Sequence, residues 1–202
     1  MWNIFCYNFR ITDGGVYMHF EYETSRLILQ TLDESSTDRV LDFLYRGRAF
    51  FDPVEPPKPD NFYTKSFQAA SLSGERTAFL SGTYRRYYFS TFERPDVIIG
   101  TASFSNIIRG AYRSCMLGYK LLPEFQKKGY ALEGISRLIT AVFEEDRMHR
   151  IEAYTLPNNY SSINLLSRLG FQFECLSRSV IMLRNGFCDH NRYFLLNPLD
   201  MH

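Results

Sequence analysis

The chain has 202 residues, 45% of them hydrophobic, and a formal net charge of +1. This length is enough for one complete hydrophobic core. The near-neutral charge gives no general electrostatic basis for binding nucleic acid or an anionic membrane surface. No apolar run approaches the roughly 20 residues of a membrane-spanning helix. The four cysteines form no C-x-x-C pair and no zinc spacing, which favours reduced thiols, a cytoplasmic location and no metal site.

The amino-terminal segment differs from the rest of the chain. It is rich in aromatic residues and lacks the charged start, continuous apolar centre and cleavage site of a secretory signal. We predict that residues 1–22 are an extension of unknown role and that residues 23–202 form a single domain.

The first half of that domain predicts two helices followed by antiparallel strands. In chain order the predicted elements are a strand at 26–31, a helix within 33–46, a proline-rich loop at 51–60, a helix from 61 to 72 ending near Gly74, and strands at 77–89, 97–107 and 113–122. Four prolines exclude regular structure from the loop.

A short basic glycine loop then leads into an amphipathic helix. The strand ends at Leu122-Pro123, and apolar residues recur with helical spacing from Leu132 to Phe143. The first turn of a helix leaves backbone N–H groups without partners and favours negative charge. The small residues Gly129 and Ala131 would let an anion approach that backbone closely. The loop therefore suggests a site for a phosphate-bearing cofactor. The alternative is an ordinary turn, in which the glycine provides the turn geometry and the lysines only increase solubility.

The second half predicts a strand, a short helix and a further strand. Arg150 to Thr155 reads as a buried strand, and Asn159 stands where the cap of the next helix is expected. Gly170 ends that helix, and the further strand begins at Phe171. Together the two halves make a mixed α/β sheet.

Two of these motifs resemble a known family. The stretch Q-K-K-G-Y-A, from Gln126 to Ala131, resembles the R/Q-x-x-G-x-G/A signature of the GNAT N-acetyltransferases. The stretch from Asn159 to Phe171 resembles the N-x-x-S…L-G-F segment of their RimJ/RimL branch. The opening strand from Thr24, the central hairpin and the closing hairpin agree in order, so that the resemblance covers about Glu23 to Asn197.

This resemblance implies a fold and a cofactor. The expected fold is a mixed α+β GNAT fold, with a mostly antiparallel sheet of about seven strands flanked by about four helices. Its fourth and fifth core strands, here 113–122 and 150–155, would splay apart and leave a wedge for the pantetheine arm of acetyl-CoA. Acetyl-CoA is the implied co-substrate, with no metal.

The resemblance also implies which residues bind acetyl-CoA. Backbone amides of the splayed strand would polarise the thioester, and amides of the glycine loop would hold the pyrophosphate. The predicted cofactor-binding residues are Tyr119, Lys120, Leu121, Gln126, Lys127, Lys128, Gly129, Tyr130, Ala131, Asn159 and Ser162. Asn159 could serve as a plain helix cap, as a cofactor contact, or as both.

The catalytic groups are less well marked. In many members of the superfamily the general acid is a tyrosine seven residues after the asparagine, but Leu166 occupies that position here. We therefore predict Ser162 as the general acid, although a hydroxyl there also serves as a local cap partner. Tyr154 replaces the glutamate of related enzymes, which leaves Glu152, two residues earlier on the same strand face, as the predicted base. Glu174, Asp189 or a water chain are the alternatives.

The resemblance implies direct acetyl transfer to a primary amine in a ternary complex. The protein N-terminal α-amine, of the ribosomal-protein type, is the expected acceptor, and a small molecule such as a polyamine, amino acid or antibiotic is the competitor. A base glutamate is missing at Tyr154, and a second one found in some relatives, on the strand before the closing hairpin, is missing at Ser179 to Met182. These two absences also allow a catalytically idle acyl-CoA-binding module. The hypothesis that the chain is an RNA-associated protein has only Lys127-Lys128 and Arg85-Arg86 in its support. We expect no direct nucleic-acid or membrane partner, and either a monomer or a homodimer.

Overall fold

The structure, a computed structural model, describes residues 9–11 and 16–200. Twelve of the 22 residues of the predicted extension therefore lie outside the described residues. The strands are β1 Phe9–Ile11, β2 Val16–Met18, β3 Glu21–Glu23, β4 Leu27–Gln30, β5 Arg85–Thr91, β6 Gly100–Ile108, β7 Ser114–Leu121, β8 Arg150–Thr155, β9 Gln172–Leu183 and β10 Gly186–Leu196. The helices are α1 Thr37–Phe51, α2 Lys65–Leu80, α3 Tyr130–Glu144 and α4 Tyr160–Arg168.

Eight strands form the central sheet, in the order β3-β4-β5-β6-β7-β8-β10-β9. All neighbouring pairs are antiparallel except β7 and β8, which are parallel. The predicted mixed, mostly antiparallel sheet with four helices is confirmed, and the sheet has one strand more than the sequence predicted. That strand is β3 at the sheet edge, and the boundary drawn between residues 22 and 23 falls inside it.

Alternate residues of the strands enter two separate cores, one on each face of the sheet. Tyr87 and Phe89 of β5 belong to the cluster that contains the apolar side of α3. Tyr88, between them, belongs to the cluster formed with α1 and α2. This is the period of two that a strand imposes on its side chains. The sheet is therefore covered by α3 on one face and by the first two helices on the other.

The parallel pair β7–β8 is short. Only Ser114 to Leu117 of β7 pair with β8, opposite Arg150 to Ala153. Beyond these four positions β7 continues to Leu121 with β6 as its paired neighbour. The two strands therefore separate at their carboxyl ends, which confirms the predicted splay and leaves a gap there.

The predicted bounds of the first two helices were wrong. The second helix does not end near Gly74 but runs to Leu80, so residues 77–80 are helical rather than strand. Leu72 and Phe79 are both buried, and packing these residues outweighs the weak helix propensity of an exposed glycine. The first helix continues past Arg46 to Phe51, whose ring packs 5.4 Å from the ring of Phe43.

Two glycines in helices should respond oppositely to alanine. A Cβ on Gly74 would meet nothing within 4 Å, whereas a Cβ on Gly134 would lie 2.8 Å from the ring of Phe89. We expect Gly74→Ala to raise the free energy of unfolding by about 0.5–1 kcal/mol, and Gly134→Ala to lower it by about 1–3 kcal/mol. Urea denaturation measures both. No gain from Gly74→Ala would contradict the assignment of Gly74 to a helix interior.

Candidate active site

The loop ahead of α3 has an unusual backbone. After Pro123–Phe125, a short 3₁₀ turn, Lys127 has a φ of 59° and Gly129 a φ of 85°. These left-handed conformations turn the chain into α3, and glycine adopts them most readily. Gly129 is the N-cap residue and has no side chain to cap the helix. The N–H groups of the first turn therefore receive no cap from the residue that usually provides one.

Backbone groups of β7 face the gap. The N–H of Leu122 donates to the carbonyl of Ile99, which continues the β6–β7 ladder. Because backbone groups alternate in direction along a strand, those of Tyr119 and Leu121 point away from β6, toward the side that β8 has left. The side chain of Gln126 donates to the carbonyl of Leu121 at 3.1 Å. This bond ties the loop to the splayed end of β7.

The start of α4 closes the other side of the gap. The phenol of Tyr119 donates to the backbone carbonyl of Ser162 at 3.4 Å, and burial raises the pKa of Tyr119 to about 12. The side chain of Asn159 accepts a hydrogen bond from the N–H of Ser162 at 3.2 Å. Asn159 is thus the helix cap that the sequence predicted.

Thr155 is a residue that the sequence analysis missed. It is the last residue of β8, only 5% exposed, and its hydroxyl has no hydrogen-bond partner within the described part of the chain. Its position continues the row of Ile151 and Ala153, which belong to the core beneath α3. A buried hydroxyl without a partner is costly, and here it lies where β8 ends. The only sequence signal was its place at the end of a strand.

Lys120 points to the opposite face of the sheet from Tyr119. Its ammonium group lies 2.8 Å from a carboxylate oxygen of Glu55, and burial lowers its pKa below the ordinary value. Lys58 contacts both Glu55 and Asp52, at 2.9 and 2.5 Å. Only the backbone of Lys120 lies between Tyr119 and Leu121, so its side chain belongs to this cluster rather than to the gap.

Glu152 is held in a network of ion pairs on that opposite face. One of its oxygens accepts hydrogen bonds from Arg150 at 2.8 Å and from Arg192 at 2.6 Å. Arg150 also contacts Glu174 at 2.6 Å. Partial burial alone would raise the pKa of Glu152, but the two arginines outweigh it and lower the pKa. The role of Glu152 as general base stays a prediction, and these contacts weaken it as a base.

Asp189, an alternative candidate for the base, also has structural partners. Asp189 contacts Arg178 at 2.7 Å and accepts from the N–H of Ser179 at 2.8 Å, beside an irregularity in the β9–β10 pairing. Leu166, at the position of the missing tyrosine, is 1% exposed in the core.

Within the described residues no group of three or more His, Cys, Asp or Glu side chains could hold a metal ion. None of the described helices combines the length and apolar character needed to cross a bilayer.

Most of the chain matches a known protein family and a named relative. Residues 26–172 match the model of the acetyltransferase (GNAT) domain. The chain is 31% identical to the [ribosomal protein uS5]-alanine N-acetyltransferase of Escherichia coli over 177 residues, which cover 87% of this chain and 90% of the relative.

Two solved structures share the fold. One is the ribosomal-protein-S5-alanine acetyltransferase from Vibrio fischeri, with a TM-score of 0.83 and 24% identity over 88% of this chain and 97% of the other. The second is RimL, a ribosomal L7/L12 α-N-protein acetyltransferase in complex with coenzyme A, with a TM-score of 0.79 and 19% identity over the same shares of the two chains.

A substitution of Glu152 separates a structural role from a catalytic one. Because the folded-state pKa of Glu152 is lowered, its ion pairs stabilise the fold above the pKa of the unfolded chain, and this contribution disappears as the pH falls through the folded pKa. We expect Glu152→Gln to lower the free energy of unfolding by about 1–3 kcal/mol at pH 7. The deficit should shrink in acid.

Urea denaturation at pH 7 and at acidic pH measures this difference, with Glu144→Gln, at an exposed carboxylate, as control. The acetyl-transfer kcat of Glu152→Gln should fall less than about tenfold, since general acid–base groups contribute about 10²–10⁴-fold. A loss in that larger range with unchanged stability would establish Glu152 as the base.

Proposed function

The chain belongs to the GNAT acetyltransferase family, and we propose that it is an N-acetyltransferase that uses acetyl-CoA and whose acceptor is a protein N-terminal α-amine. The support for this acceptor is the Escherichia coli relative, which is named for an alanine of ribosomal protein uS5 and matches most of this chain. The alternative acceptor is a small-molecule amine, and the alternative function is an idle acyl-CoA-binding module. We also propose a cytoplasmic location and a monomer or homodimer.

The observation that carries this proposal is the combination of the gap with the uncapped start of α3. The N–H groups of Tyr130 and Ala131 belong to the first turn behind Gly129, which offers them no side-chain cap. A diphosphate fits this donor set, because a helix start attracts negative charge. The partnerless hydroxyl of Thr155 and the gap-facing backbone of β7 suit a polar chain such as pantetheine. The residues present therefore fit a coenzyme A thioester.

In this proposal the residues of the loop and the gap divide the work. Lys127 and Lys128 are exposed and would add positive charge around the helix start, while the backbone of Tyr119 and Leu121 would polarise a carbonyl placed in the gap. The coenzyme, when bound, supplies an acetyl thioester that is already activated toward a neutral amine. As the amine displaces the thiolate of coenzyme A and forms the amide, the protein has to orient the amine, allow its proton to leave, and supply a proton to the departing thiolate.

Ser162 is the proposed general acid. Its amide is fixed by Asn159 and its carbonyl by the phenol of Tyr119, so the first turn of α4 is held from two sides. A pKa raised to about 12 keeps Tyr119 protonated at neutral pH, and it can keep donating this hydrogen bond. For the amine proton we propose solvent rather than Glu152, since Arg150 and Arg192 already neutralise that carboxylate.

The charges near Lys120 favour a peptide acceptor over a polyamine. Among the described contacts, Glu55 is paired with Lys58 and Lys120, while Asp52 is paired with Lys58 and lies 3.5 Å from Arg48. Three cations therefore neutralise two carboxylates on this face. A polycation would have to break these pairs, whereas a single terminal amine does not need an anionic surface.

The acceptor is tested by measuring turnover of acetyl-CoA with alanyl N-terminal peptides, polyamines and amino acids. We expect turnover with the peptides, and Ser162→Ala should lower kcat by about 10²-fold through loss of the proton donor. Ser161→Ala, at the exposed neighbouring hydroxyl, is the matched control and should leave kcat unchanged.

Turnover only with small amines would contradict the peptide acceptor. Binding of coenzyme A without turnover on any acceptor would favour the idle module.

The cofactor site is tested at Gly129. Gly129→Glu places bulk and negative charge at the helix start and should abolish coenzyme A binding in isothermal titration calorimetry. Gly129→Ala and Gly110→Ala form a matched pair, because both glycines have positive φ, of 85° and 71°. Both alanines should cost about 1–2 kcal/mol of stability, but only the change at Gly129 should weaken binding. Wild-type affinity in Gly129→Glu would refute the site.

A further inference from the structure

One carboxylate at the start of α3 gathers an unusual number of donors. An oxygen of Glu133 accepts from the hydroxyls of Thr24 and Ser25, at 2.6 and 2.9 Å, and from the N–H of Arg26 at 2.9 Å. Its second oxygen accepts a hydrogen bond from Nε of Arg26 at 2.7 Å and forms an ion pair with Nη2 of the same guanidinium at 2.6 Å. These residues are 107 to 109 positions apart in sequence. The segment just before β4 is therefore fixed to the first turn of α3.

Arg26 also contacts the glycine loop directly. Its remaining amino group donates to the backbone carbonyl of Lys128 at 3.1 Å, and its guanidinium lies 4.6 Å from the ring centroid of Tyr130. A Cβ on Gly129 would lie 3.2 Å from the same guanidinium. One side chain thus contacts the loop and the first helical residue and lies beside the cap position.

The loop needs such a constraint. A non-glycine residue in the left-handed region costs about 1–2 kcal/mol, and Lys127 adopts it two residues before the N-cap Gly129. Lys127 and Lys128 are exposed, so their side chains add no burial energy to the loop. The contacts of Arg26 supply a fixed partner for the carbonyl that lies between the two left-handed residues.

The charge arrangement has a second consequence. A carboxylate in the first turn of a helix stabilises the helix but repels another anion at the same place. Hydrogen bonds from Thr24, Arg26 and Ser25 outweigh partial burial and lower the pKa of Glu133, so it stays ionised. The guanidinium of Arg26 neutralises that charge, and its Nη1 amino group donates to the loop. The helix start remains able to receive an anion.

We propose that Arg26 and Glu133 form a clamp that holds the loop from Gln126 to Gly129 in the geometry that receives the diphosphate of a coenzyme A thioester. Arg26 is the positioning residue and Glu133 is its anchor. This inference rests on the proposed function, because it assumes that the loop binds the diphosphate.

The sign of the effect of Glu133→Gln provides the test. If simple electrostatics dominated, removing a negative charge beside the diphosphate would strengthen binding. If the clamp dominates, the same change frees Arg26 and weakens binding. We expect calorimetric titration with coenzyme A to show about tenfold weaker binding in Glu133→Gln and in Arg26→Gln, which corresponds to about 1.4 kcal/mol. Arg26→Lys should also weaken binding, because lysine lacks the planar fork.

The control is Arg178→Gln, which removes the same charge from an exposed ion pair on β9 and should leave affinity unchanged. A kinetic readout separates positioning from general loss of structure. In the Arg26 and Glu133 variants the KM for acetyl-CoA should rise about tenfold. Their kcat and their KM for S-acetylpantetheine, which lacks the diphosphate, should stay at wild-type values.

Each other result overturns the clamp. Tighter binding in Glu133→Gln, wild-type affinity in Arg26→Lys, or equal losses for acetyl-CoA and S-acetylpantetheine would do so while leaving the proposed function intact. Absence of coenzyme A binding in the wild-type chain would overturn the proposed function and the clamp together.

Discussion

The separation of two parallel strands is the constraint on which the site depends. In a continuous sheet the backbone groups of β7 and β8 would satisfy one another, as buried polar groups must. Here the pairing stops after Leu117 and Ala153, while β7 runs on to Leu121. The gap that results is bordered on one side by the loop ahead of α3, which Gln126 ties to Leu121, and on the other by the start of α4, which Tyr119 contacts.

The two faces of the sheet then take different roles. The face beneath α3 and α4 carries Tyr119 and Thr155, whose hydroxyls lie at the edge of the gap. The opposite face carries paired charges, among them Lys120 with Glu55 and Glu152 with Arg150. This division follows directly from the alternation of side chains along β7 and β8.

The sequence predicted the sheet and the glycine loop, because each depends on local signals such as Gly129, Pro123 and the cap Asn159, whereas the splay was implied by the resemblance to the GNAT family. It failed where packing at a distance overrides local preference. Gly74 looked like the end of a helix, but the burial of Leu72 and Phe79 carries α2 past it. The sequence also could not predict the partners of Glu133 and Glu152. No local pattern indicates that Arg26, 107 residues from Glu133, and Arg192, 40 residues from Glu152, contact these carboxylates.

Amide hydrogen–deuterium exchange with and without coenzyme A tests the central claim most directly. The account predicts slower exchange on binding at the amides of residues 119–121 and 127–132, which border the gap and the start of α3. The amides of the hairpin turn at Gly110 should exchange equally in both states. Protection confined to other segments, or no protection at a coenzyme A concentration that saturates binding, would contradict it.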